Sequence, residues 1–301
     1  MNFEFGEVLT HAWQITWRNK VLWVVTVLPF LISFLLFPVW LIVAFTQNLD
    51  PNRILGFMEN QNYIVLITVF YLIIFIVSSV LHVISRASVT LGVYRVEAKQ
   101  PIAFMDLLKD GLPYFWRILG VALLMIAGMI VFFLAFFACA ALLSVATMGL
   151  GAICIQPLFL LMIPLMFLVM AFMEQAESAI IADGMSVPDS ARRAYELIKT
   201  NVWKYMLITF VVYFGMNILI SMIAFPFMIP MFLFMMNNFE NGMDFSNMYK
   251  LQAVFAIVLL PLMTLIQGFA LTYMKSAMMV TYLRLTRSTN GPQPSLQVAT
   301  A

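Results

Sequence analysis

Six stretches of mostly apolar residues divide the chain, near 21–45, 64–84, 118–143, 153–173, 205–236 and 251–274. A helix of about 20 such residues crosses the hydrocarbon core of a bilayer. Polar and apolar residues do not alternate within these runs, which excludes the strands of a transmembrane barrel. A helix also satisfies its own backbone groups in lipid. The pattern therefore predicts an all-α integral membrane protein with six transmembrane helices. The runs from Val21 and Tyr205 exceed one crossing and predict tilt or breaks, with Pro226 and Pro230 ending or bending the fifth helix. The first run is too long for a secretory signal, carries Glu4 and Glu7 ahead of it and lacks a small-x-small site, so it reads as a retained helix.

A short amphipathic segment precedes each odd-numbered run, and the three segments align. The first contains Phe5, Glu7, Ala12 and Trp13, the second Phe104, Asp106, Gly111 and Leu112, the third Val187, Asp189, Ala194 and Tyr195. In each, an apolar residue lies two before an acid, and a small residue lies five after it. The acids are placed for a first helical turn, where the helix dipole favours them. Ser186 and Asp189 have capping-box spacing and Pro188 suits a first turn. Trp13, Trp17, Trp23, Trp116 and Trp203 cluster near one boundary of the runs, as interfacial aromatic residues do. The predicted organisation is three repeated hairpins, about 1–99, 100–183 and 184–287, each preceded by a cytoplasmic interfacial amphipathic helix. A disordered polar tail is expected over 288–301, and a pseudo-threefold arrangement about the membrane normal follows from the three like-oriented copies.

Charge supplies the orientation. Of the 16 basic residues, all but Arg53 and Lys250 fall on the side of the termini. Basic residues in short loops stay cytoplasmic, so both termini are expected in the cytoplasm of a multi-pass protein of the cell membrane. Composition agrees: 63% of the 301 residues are hydrophobic and 10% are charged, whereas soluble domains have about 25% charged residues. Soluble enzymes and nucleic-acid binders are excluded on that basis. The two cysteines, Cys139 and Cys154, permit neither a disulfide framework nor a zinc cluster. They read as two buried thiols, with a disulfide across 144–151 as the alternative.

The segment 174–204, EQAESAIIADGMSVPDSARRAYELIKTNVWK, and the opening FGEVLTHAWQITWRNKVLW resemble a bacterial family of six-span proteins similar to the membrane domain of glycerophosphoryl diester phosphodiesterases. The resemblance spans most of 1–287. It implies the six-span architecture and carries over no catalytic residue. In that family the membrane domain is sometimes fused to a phosphodiesterase barrel, and the few residues after Arg287 make a stand-alone membrane unit the expectation here.

Candidate chemistry is sparse. The histidines are His11, in an amphipathic segment, and His82, about one turn before Arg86; no catalytic triad, metal motif or phosphate loop is present, and no cofactor is expected. Arg86, Glu174, Glu177 and Lys275 close the inner ends of the second, fourth and sixth runs. Ionisable groups at membrane depth need partners, so these four read either as a cytoplasmic polar ring, serving as a gate or headgroup site, or as helix-end ions in water. Inside the runs, Asn217 and Gln267 read as interhelical hydrogen-bond partners. No carboxylate or lysine lies near the middle of a run, which argues against coupled transport. The methionines Met228, Met231, Met235, Met236, Met243 and Met248 suit a soft metal by ligand type and flexible packing by shape.

These features predict a non-catalytic polytopic membrane protein, a scaffold or accessory or lipid-associated protein, whose partners are the bilayer and a membrane protein or lipid ligand. The alternatives are a transporter or channel for an apolar or lipid-like substrate, and an accessory to lipid phosphodiester metabolism.

Overall fold

The structure, a computed structural model, describes residues 4–31, 61–148, 150–240 and 245–290. Among these residues the chain is helical and contains no strand. In chain order the helices are α1 (Phe5–Arg18), α2 (Lys20–Leu31), α3 (Gln61–Glu97), α4 (Phe104–Gly111), α5 (Phe115–Ala146), α6 (Leu150–Asp183), α7 (Val187–Thr200), α8 (Val202–Thr209), α9 (Gly215–Glu240) and α10 (Phe245–Asn290). A 3-10 turn, Leu112–Tyr114, joins α4 to α5, and a π-helical turn, Phe210–Phe214, joins α8 to α9.

Four segments are long and apolar enough to cross a membrane: Thr68–Glu97, Phe104–Ala146, Met162–Asp183 and Val202–Pro226. They mark a membrane-embedded protein and coincide with the second to fifth apolar runs. Most of the first run, from residue 32 onward, lies outside the described residues. The sixth lies within α10. The helices outrun the hydropathy pattern. At 37 residues α3 is about 55 Å long at 1.5 Å per residue, against about 30 Å of hydrocarbon. Pro226 and Pro230 do not end the fifth helix, since α9 continues through both to Glu240. The final helix extends to Asn290, two residues past the expected start of the tail, and 291–301 lie outside the described residues.

Among the described residues, burial is concentrated at one end of the bundle. The core joins α1 and α2 to the C-terminal halves of α3, α6 and α10, to the start of α5, to the second half of α7 and to α8. Away from it the spans present apolar side chains outward, as with Phe75, Val131, Leu134 and Phe225, each at least 64% exposed. Lipid is the solvent that such surfaces require.

The three short helices bury one face each, and they do so in the same register. Glu7, Asp106 and Asp189 lie in the first turns of α1, α4 and α7. One residue after each acid, Val8, Leu107 and Ser190 are fully buried; five after, so are Ala12, Gly111 and Ala194. These faces are covered by protein. Helix α4 packs on α3, α7 packs on α6, and α1 packs on α10. The first and last helices thereby close the set. Trp13, Trp17, Trp116 and Trp203 remain 43–77% exposed. The Ser186 hydroxyl bonds directly to the Asp189 carboxylate and makes no backbone cap, so the capping-box spacing produces a different contact.

Close helix approach at this end depends on small residues. A Cβ on Gly111 would sit 3.2 Å from the backbone nitrogen and 3.3 Å from the Cα of Ser88 in α3. Gly184, at φ +66°, forms the turn between α6 and α7, and its carbonyl accepts a bond from Arg117 Nη1 at 2.9 Å.

A buried ion-pair quartet and its chamber

Arg86, Glu174, Glu177 and Lys275 belong to three helices, α3, α6 and α10, that continue well past them. Glu174 and Glu177 are three residues apart and so share one face of α6. Arg86 Nη2 lies 2.6 Å from Glu177 Oε1 and 3.2 Å from Glu174 Oε1. Lys275 Nζ lies 2.7 Å from Glu174 Oε2 and also pairs with Glu177 Oε2. The structure thus brings all four together, with each cation touching both carboxylates. The side chains of Glu174, Glu177 and Lys275 are at most 8% exposed and that of Arg86 is 21% exposed. Burial at this level excludes the reading as helix-end ions in water. The physical cause is that each helix runs on past its charge into the packed core.

Two positive and two negative groups cancel, so the cluster is buried without net charge. Desolvating an ion costs several kcal/mol, and only close partners and hydrogen bonds repay it. The Tyr213 hydroxyl adds one such bond, donating to Glu174 Oε1 at 3.1 Å. Two atoms stay without a hydrogen bond, Arg86 Nε and Glu177 Oε1. For Glu177 Oε1 the Arg86 contact is close enough for an ion pair and too poorly aligned for a hydrogen bond.

Small polar groups surround the quartet. Thr26 and Thr272 hydroxyls are 2.8 Å apart, and Ser85 donates to the Val25 carbonyl at 2.8 Å. The Tyr205 hydroxyl donates to Gln175 Oε1 at 3.1 Å, and Gln175 Nε2 donates to the Met278 carbonyl at 3.3 Å. Further along, Tyr282 donates to the Asp183 carboxylate. Burial, and then that carboxylate, hold the Tyr282 phenol above its usual value of 10.0.

Beside the quartet is a cavity of about 120 Å³. It is lined by Arg86, Glu174, Lys275 and Tyr213, by His82, Thr26 and Ser85, and by Met170, Met173, Leu271, Met274 and Val89. His82, Met170 and Leu271 each stand four residues before Arg86, Glu174 and Lys275. The chamber therefore lies one helical turn from the charges, toward the apolar runs, with the quartet at its inner end.

The other predicted positions are dispersed. Asn217 is exposed and donates to the Tyr213 carbonyl of its own helical segment at 2.7 Å, so it does not bridge helices. Gln267 is exposed on α10. Cys139 is a free, exposed thiol, which corrects the expectation of burial; the side chain of Cys154 lies outside the described residues. His11 pairs with Glu97. Met228 and Met236 are exposed, and the side chains of Met231, Met235, Met243 and Met248 lie outside the described residues. Tyr213, Tyr205 and Gln175 were not foreseeable as site residues: Tyr213 sits in the uniformly apolar Phe-Val-Val-Tyr-Phe π turn, which has no Gly or Pro to announce it.

No match is found among models of known protein families, curated proteins or solved structures.

Proposed function

We propose that this chain is a six-span scaffold or accessory protein of the cell membrane, lipid-associated and non-catalytic, with both termini cytoplasmic. The carrying observation is the internally neutralised quartet, which fastens α3, α6 and α10 at the end where the core is packed. A hub held in this way offers fixed surfaces, and the exposed apolar flanks leave lipid or a membrane protein as the natural neighbour. The shared burial register of α1, α4 and α7 supports three repeated hairpins. So does the cyclic packing of each short helix on a quartet-bearing helix. The quartet then draws on the second span of every hairpin, with Arg86 from the first, Glu174 and Glu177 from the second and Lys275 from the third.

Cross-linking in native membranes followed by mild-detergent purification should recover the chain with a stoichiometric protein partner. Recovery of the chain alone on every occasion would remove the scaffold reading.

The chamber favours a second reading, a transporter or channel for a lipid-like substrate. Its volume is below the about 300–1,000 Å³ of common ligand pockets, so it suits a headgroup better than a whole molecule. Lipid transfer between vesicles by the reconstituted chain would establish that reading. The family resemblance alone supports an accessory role in lipid phosphodiester metabolism.

A further inference from the structure

The chamber combines features that together select a ligand class, and the inference rests on the lipid-associated part of the reading above. Its inner end is charged and electrically balanced. An anion or a cation entering alone would bring uncompensated charge against a largely buried, neutral cluster, which is costly. A zwitterion would not.

Hydrogen-bonding capacity gives the same answer. Lys275 has three donors and engages two carboxylates. Arg86 Nε is buried and has no hydrogen-bond partner among the described residues. The cations therefore retain donors for a phosphate. A carboxylate has about four acceptor positions, and Glu174 uses three, for Arg86, Tyr213 and Lys275. One remains for an ammonium.

The open side carries one polar group, the His82 imidazole, among apolar side chains. His82 and Met170 are the exposed members of the lining, and Phe214, beside Tyr213, is 47% exposed. A ligand entering there leaves its remainder among lipid-facing side chains. The π turn supplies a separate pointer, since such turns concentrate at functional sites and this one carries Tyr213 onto the quartet.

We propose that the chamber is a headgroup pocket for a zwitterionic phospholipid, with the phosphate against Arg86 and Lys275 and the ammonium against Glu174.

The purified full chain would be offered equal amounts of dioctanoyl phosphatidylethanolamine and phosphatidylglycerol, and bound lipid read by native mass spectrometry. Soluble phosphoethanolamine forms a separate arm. We expect the zwitterionic lipid to be retained at least roughly tenfold over both competitors, a difference of about 1.4 kcal/mol. Met170→Trp, at an exposed position, should abolish the preference while leaving the melting temperature unchanged. Glu174→Gln leaves one net positive charge and should turn the preference toward phosphatidylglycerol; if that variant fails to fold, Met170→Trp decides alone. Equal or stronger binding of the anionic lipid to the unaltered chain overturns the proposal, as does binding indifferent to Met170→Trp. Phosphoethanolamine binding as tightly as the lipid would assign the pocket to a soluble zwitterion and also overturn it. Retention of no lipid of either class would instead remove the lipid-associated reading itself, together with this pocket.

Discussion

Lys275 is the residue on which the quartet's balance turns. It contacts both carboxylates, and without it Glu174 and Glu177 would share Arg86 and leave one buried negative charge uncompensated. Breaking a buried pair from one side costs about 3–5 kcal/mol. Lys275→Ala is therefore expected to lower the thermal stability of the detergent-purified chain sharply. Replacing all four members by apolar residues of similar volume should cost much less. A similar loss from both variants would show that volume, and not charge, governs the site. Tyr282 acts at a different pH. Its phenol is held above 10.0 by burial and by Asp183, so the folded chain retains a proton that the unfolded chain releases near pH 10. The resulting stability is fully present below that pH and is lost as pH rises above it. Unfolding midpoints measured from pH 8 to 11 should fall less steeply for Tyr282→Phe than for the unaltered chain.

At the scale of elements, close approach between helices is fixed by glycine. A methyl on Gly111 collides with the Ser88 hydroxyl and crowds the Ser88 backbone at 3.2–3.3 Å, so that α3 or α4 must shift, whereas a methyl on Gly128 in α5 meets nothing within 4 Å. Gly111→Ala should destabilise by about 1–3 kcal/mol through overpacking. Gly128→Ala, whose only term is the helix preference of alanine, should be neutral or gain up to about 1 kcal/mol. Differential scanning fluorimetry of the two variants checks the contrast, and equal effects would refute it. The same elements show what sequence makes legible. The central spans could be read because apolar length in lipid is a direct physical requirement. Their inner ends could not: around Ser85, Ser88, Thr272 and Ser276, small polar residues pack against other helices, while in composition they resemble a water-facing boundary. Arg86, Glu174, Glu177 and Lys275 could be grouped because each closes an equivalent run, but their burial depended on helices continuing past them. Tyr213 needed the π turn, whose residues look like any other membrane segment.

Over the whole molecule, packing is uneven. Among the described residues one end is close-packed and polar at its centre, while away from it apolar side chains are exposed. Exposed Trp13, Trp17, Trp116 and Trp203 fall beside the packed end, where headgroups would meet indole rings. In vesicles, lipids brominated near the headgroup should therefore quench tryptophan fluorescence more than lipids brominated near the chain terminus. The opposite order would place the packed end deep in hydrocarbon and reverse the proposed disposition.

The cancellation of charge in the quartet has an electrical consequence. Moving one elementary charge across a membrane potential of 100 mV involves about 2.3 kcal/mol, which is how voltage sensors operate. A group of two cations and two carboxylates that moves as a unit carries no gating charge. The quartet therefore adds no voltage dependence to a rearrangement of α3, α6 and α10 that keeps the four together, whereas loss of Lys275 would leave one of its charges subject to the field.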